Sequence, residues 1–333
     1  MYTACKKRKG GMYMKKKTAL TALGVTAGVG AGIAAARLGV VKAMTDVALD
    51  RELPEYARHF RVSGTPENET VRARQREAAK ALEALPRKEI TIRSFDGLKL
   101  VGHLVTCDEP RRLIIAAHGW RSSWSRDFGI IAPFWRENHC NVLYIEQRSQ
   151  GGSGGQCMGF GLLERYDCAE WAEWAAAQNY GLPVYLAGIS MGATTVLMAS
   201  GLELPDCVRG IMADCGFVSP QDIWKHVANH NLHMYYGALR EKLADRQYRK
   251  KTHLASDGYS TLTAMEHNHL PVLFVHGAAD TFVPIEMTYK NYLACKAPKR
   301  LVVVPGASHG MSCMVDPEAC HRAMLDFWRD FDM

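Results

Sequence analysis

Three residue types, spread over the second half of the chain, can do nucleophilic chemistry together. A serine hydroxyl attacks a carbonyl only when a base stands beside it and the backbone holds it exposed. Gly188-Ile189-Ser190-Met191-Gly192 is a G-x-S-x-G pattern between the apolar run Val184–Ala187 and the helical segment Ala193–Gly201. That order, strand then sharp turn then helix, is the elbow that exposes a nucleophile. Gly151-Gly152-Ser153-Gly154-Gly155 matches the same pattern, but in a glycine run that no helix can begin, so Ser153 reads as part of a flexible loop.

The base should follow the last strand, and Leu301–Val304 leads into Pro305-Gly-Ala-Ser-His309-Gly310. His309 is therefore the candidate base. Among the other histidines, His118 and His276 each end a strand in a His-Gly pair and read as turn residues bonded to backbone. His226, His230, His233, His267 and His269 fall in a later insertion, as pocket lining or surface. An acid must fix the imidazole tautomer. Asp280, in His276-Gly-Ala-Ala-Asp280-Thr-Phe-Val-Pro284, is placed to do so after the seventh strand, and Asp214 after the sixth is its rival. The developing oxyanion needs two backbone N–H donors. Met191, directly after the serine, is one candidate and Trp120, in Ala117-His118-Gly119-Trp120, is the other, its indole left free as a pocket wall.

The elements that position these residues are short apolar runs alternating with helical stretches. The runs are Lys88–Arg93, Leu98–Thr106, Leu113–Ala117, Val142–Ile145, Val184–Ala187, Gly210–Ala213, Val272–Val275 and Leu301–Val304. Helical segments fall at Ile130–Asn138, Leu163–Asn179, Ala193–Gly201 and Pro284–Cys295. Such alternation specifies an α/β fold with a doubly wound, mostly parallel eight-stranded sheet, and sites on such sheets lie at the carboxyl ends of the strands. Phe217 to His269 interrupts the rhythm between strands six and seven, and is expected to be a small helical cap over 217–269.

Taken jointly, His118-Gly-Trp120, Gln147-Arg148-x-x-Gly-x-Ser153, Gly-x-Ser190-x-Gly, Gly277-x-x-Asp280-x-x-Val-Pro and Ser308-His309-Gly resemble the α/β-hydrolase family in order and spacing over residues 88–333. Within it the chain is most similar to bacterial membrane-anchored proteins of the serine aminopeptidase, monoacylglycerol lipase and cinnamoyl esterase branches. The resemblance implies an α/β-hydrolase fold. It also implies hydrolysis of a carboxylic ester, or of an amide or thioester, through an acyl-enzyme. Acyl transfer, or a non-catalytic binding role on the same fold, are the alternatives. Glu146 departs from the pattern, since relatives carry Asp there.

The first ~85 residues lie outside that resemblance. Residues 1–17 are basic, with Lys15, Lys16 and Lys17 standing before a stretch from Thr18 to Ala36 that carries no charge. About 20 apolar residues suffice to cross a bilayer as a helix. Residues 18–41 are therefore expected to be a transmembrane anchor, with a cleaved signal or a soluble helix as alternatives, and Gly24, Gly28 and Gly32 form a face for close helix approach. Met14 reads as a better start than Met1. The lysines would stay inside and the catalytic domain outside, with a cytoplasmic domain as the alternative. Residues 42–87 read as a helical spacer, or a packing helix, without chemistry.

Composition narrows the remaining classes. At 47% hydrophobic and 23% charged, the 333 residues make a globular protein. The net charge of +7 sits largely in residues 6–17 and 240–251. Neither run interleaves with aromatic residues that stack on bases, so nucleic acid is not an expected partner. Ten cysteines without a C-x-x-C pair, and no H-E-x-x-H, point to neither a metal nor another cofactor. The expected partners are a small acyl substrate and the membrane.

Overall fold

The computed structural model describes residues 38–57 and 69–332. Eight strands form one sheet: β1 (Lys88–Arg93), β2 (Lys99–Val105), β3 (Arg112–Ala117), β4 (Cys140–Glu146), β5 (Val184–Ile189), β6 (Val208–Asp214), β7 (Val272–Gly277) and β8 (Lys299–Val304). Their spatial order is β1-β2-β4-β3-β5-β6-β7-β8. β2 pairs antiparallel with both of its neighbours, β1 and β4, and the other neighbours run parallel. Every residue of β3 is buried, as a strand covered on both faces requires.

The helices are α1 (38–49), α2 (Glu69–Glu83), α3 (Trp124–Phe128), α4 (Ala132–Glu137), α5 (Glu164–Ala177), α6 (Met191–Ala199), α7 (Pro220–His226), α8 (Ala238–Thr252), α9 (Thr261–His267), α10 (Ile285–Ala294), α11 (Ser312–Val315) and α12 (Pro317–Phe331). One sheet face packs Cys168 and Trp171 of α5 and Val196 and Leu197 of α6. The other packs Phe128, Trp135, Phe327 and Trp328 of α3, α4 and α12. Sequence periodicity did not single out α12. It starts where Asp316 caps the Ala319 amide and Pro317 takes the first turn.

Between β6 and β7 lie α7, a π-helical turn at Val227–Asn231, α8 and α9, the expected helical cap. Ser219 and Ser260 start α7 and α9 by accepting the Asp222 and Thr263 amides. A third apolar core forms under this cap, where Val41 and Leu49 of α1 meet Phe160, Phe217, Trp224 and Tyr248.

This packing bears on two N-terminal segments. At the start of 42–87, α1 packs on the body: Asp46 and Asp50 face Lys251 of α8, and Arg51 donates to the Gly151 carbonyl at 2.7 Å. The span 18–41 overlaps the described residues only at 38–41, where α1 begins and Val41 is buried against the domain. Among the described residues no helix is long and apolar enough to cross a membrane, and 18–37 lie outside them.

Candidate active site

The backbone after β5 turns sharply at Ser190, whose φ of 56° and ψ of −117° lie outside the comfortable regions for a side chain. Such strain persists only where the surroundings enforce it. A Cβ on Gly192 would stand 1.8 Å from the Ala117 carbonyl oxygen, and one on Gly188 would stand 2.2 Å from that of Gly192. These two glycines let β5, the turn and α6 close up, and the Ser190 amide is tied to the Asp214 carbonyl at 2.9 Å.

Three side chains far apart in sequence then meet. His309 Nε2 lies 2.9 Å from Ser190 Oγ, and His309 Nδ1 lies 2.7 Å from Asp280 Oδ2. A carboxylate only accepts, so Nδ1 carries the proton and the Nε2 lone pair faces the serine hydroxyl. The other carboxylate oxygen, Oδ1, accepts the amides of Phe282 and Val283, both at 2.9 Å. Burial pushes the Asp280 pKa up, but the His309 charge and the bonds from His276 and His309 outweigh it and hold the carboxyl well below the usual range. Burial lowers the His309 pKa in turn, and the charge and hydrogen bond of Asp280 raise it beyond that loss.

Trp120 and Met191 are the two donors expected for the oxyanion. Among the described residues their backbone amides have no hydrogen-bond partner, whereas the neighbouring Gly119 amide is taken by Asp127 at 2.7 Å and the Arg121 amide by Gln150 at 2.7 Å. The Trp120 indole is not free: it donates to the Ala48 carbonyl at 2.8 Å, because the last carbonyls of a helix need outside donors.

Asp214 does not join the relay. Its carboxylate accepts from Ser312 Oγ at 3.1 Å, and burial lifts its pKa to about 6, with His276 and Ser312 acting against that rise. Ser153 is not in a flexible loop either. It is buried, donates to the Glu146 carbonyl at 2.6 Å and accepts the Val101 amide at 2.9 Å. Glu146 itself explains its length: it reaches His103 on β2 at 2.9 Å and accepts the Gly152 amide, holding the glycine turn to the end of β4.

His276 carries more than a turn. Its Nε2 lies 3.0 Å from the Val283 carbonyl and 3.3 Å from Asp280 Oδ2, and Nδ1 lies 2.7 Å from Thr288 Oγ1. Both Nε2 neighbours accept only, so Nε2 holds the proton and Thr288 donates to Nδ1. Sequence reasoning missed this support for Asp280, although the i, i+4 spacing after β7 was visible. His118, by contrast, bonds the Gly119 carbonyl at 2.8 Å, as a turn residue should. In the cap, His226 stacks on His230 with ring centres 4.7 Å apart. Cys215, Asp280 and His309 are the one trio of potential metal ligands among the described residues, and two of the three are already bonded to each other.

The prolyl oligopeptidase family model matches residues 161–331, which hold Ser190, Asp280 and His309. The chain belongs to the prolyl oligopeptidase family. It is an α/β hydrolase, as its motifs resemble. Among relatives, YqkD of Bacillus subtilis is 24% identical over 250 residues, covering 74% of this chain and 81% of its own. YfhR of Escherichia coli K12 is 26% identical over 219 residues, covering 64% and 70%. Of solved structures, the Pyrococcus furiosus esterase Pf2001 superposes with a TM-score of 0.59 at 24% identity over 76% of this chain and 95% of the other. Est1E from Butyrivibrio proteoclasticus, bound to ferulic acid, gives 0.57 at 19% identity over 72% and 98%. These likenesses show the fold. The family match stops short of β1–β4, of Trp120 and of α1.

Proposed function

We propose that this hydrolase cleaves a carboxylic ester through an acyl-enzyme, with Ser190 as nucleophile, His309 as base and Asp280 as the orienting acid. The observation that carries this reading is the unbroken relay from Ser190 Oγ through both nitrogens of His309 to Asp280. Ser190 Oγ bonds to the acyl carbon while its proton passes to His309 Nε2, and Asp280 steadies the imidazolium. The oxyanion is met by the Trp120 and Met191 amides. His309 then returns the proton to the leaving alkoxide, and water repeats the sequence to free the acid. In the same reading, residues 18–37 anchor the chain in a membrane, with the catalytic domain outside and 88–333 as its body.

A fluorophosphonate probe tests the central step. Labelling that is present in the native chain and absent in Ser190→Ala supports the reading. Labelling that survives the substitution overturns it.

A further inference from the structure

Two spaces meet at Ser190, and their linings differ. One is a cavity of about 650 Å³ between α1 and the cap, bounded by Val40, Val41 and Met44 on one side and Phe160, Phe217 and Trp224 on the other, with no charged side chain in its lining. The other is an open groove of about 890 Å³ that contains His309 and is bordered by Lys80, Glu83, Ser122, Arg126 and Asp127. His309 is absent from the lining of the cavity.

Protein interiors leave few voids larger than a water molecule, so open apolar space of this size beside a reactive hydroxyl is a ligand site. The proton returned by His309 must reach the leaving oxygen, which places the alcohol in the groove and the acyl chain in the cavity. The α1 wall is fixed in place. Its carbonyls at Val47 and Ala48 accept from Arg121 and the Trp120 indole, both at 2.8 Å, and the Leu49 carbonyl accepts the Met158 amide at 2.7 Å. These donors fill the carbonyls that a helix end leaves open. On the far side Asp46 meets Lys251 at 3.1 Å.

We infer that α1 is the wall of an acyl-chain pocket, so that the site takes esters joining a long aliphatic acyl chain to a polar alcohol. This rests on Ser190 being the nucleophile. Val40 and Tyr56, 41% and 65% exposed, stand in the lining and so mark the mouth. The mouth thus opens beside the point where the uncharged stretch Thr18–Ala36 joins the described chain.

The test uses the full chain with p-nitrophenyl acetate, butyrate and octanoate, and compares octanoyl glycerol with octyl acetate. Burying each added methylene is expected to raise kcat/KM about fourfold until the pocket is filled. Octanoate should therefore exceed acetate by roughly a hundredfold or more, and octanoyl glycerol should be cleaved at least about tenfold faster than the reversed ester, octyl acetate. Met44→Trp, which fills the cavity from α1, should lower the octanoate-to-acetate ratio about tenfold or more. A flat chain-length profile in the native chain, a preference for octyl acetate, or a ratio unmoved by Met44→Trp overturns the inference. If Ser190 still takes the fluorophosphonate label in those cases, the hydrolase reading stands without it. No label and no turnover of any ester removes both.

Discussion

The Trp120 indole donates to the Ala48 carbonyl at 2.8 Å, joining the loop after β3 to the last turn of α1. One residue thereby holds a helix from the N-terminal third and lines the same cavity as Ser190. Trp120→Phe keeps the ring and the amide but loses the bond, leaving a carbonyl to find water. A loss of about 1 kcal/mol in unfolding free energy is expected, read from urea denaturation. Turnover of an octanoyl ester should fall more than that of an acetyl ester, because the α1 wall loosens.

Ser190→Ala is expected to lower esterase kcat by about 10⁴ to 10⁶, with the fold unchanged by circular dichroism. Ser153→Ala should retain most activity yet lose about 1 to 3 kcal/mol of stability, since two buried backbone groups, the Glu146 carbonyl and the Val101 amide, lose their partner. Thermal melts and p-nitrophenyl butyrate hydrolysis separate the two effects. An active Ser190→Ala protein would remove the assignment.

The two aspartates should part company. Asp280→Asn is expected to cost about 10⁴ in kcat, because an amide no longer favours the Nδ1–H tautomer of His309. Asp214→Asn should stay within about tenfold, its carboxylate being bonded to Ser312 rather than to the imidazole. Equal small losses from both would place the acid elsewhere.

The pH profile follows from His309. Its neutral form accepts the serine proton, and the Asp280 charge and hydrogen bond outweigh burial to set its pKa above the ordinary 6.5. The rate kcat/KM should therefore fall as pH drops, with the acid limb centred above 6.5. In the residual activity of Asp280→Asn that limb should move down, since the neutral amide withdraws the two largest raising contributions and leaves burial opposed only by the charges of Asp214 and Asp127. A limb that stays in place would mean that another group governs it.

Truncation distinguishes the N-terminal parts. A chain lacking residues 1–37 keeps α1 and should keep octanoyl ester hydrolysis, while one lacking 1–50 should lose it by about tenfold or more, as the pocket wall and its buried Val41 and Leu49 are gone. If 18–37 anchor the full chain, it should pellet with membranes and resist carbonate, and the first truncation should not. Extraction of the full chain by salt alone would point to the lysines instead.

Local pattern alone determined much of this protein. The period-two and continuous apolar runs marked all eight strands, because a strand covered on both faces must be apolar throughout. The elbow at Ser190 and the loops carrying Asp280 and His309 were legible because a strained turn and a strand-end site demand particular residues at short spacing. Contacts between distant segments were not. Nothing near Asp214 says that its carboxylate bonds Ser312, nothing near Glu146 says that it reaches His103 across the sheet, and the sequence around Ser153 looks like a free loop although its hydroxyl closes two strands. The largest gap was α1: its apolar residues fit a buried helix as well as any other, and a local pattern names no partner. Only packing against the cap, and the donors Trp120 and Arg121 that fill its open carbonyls, decided that this segment walls the site.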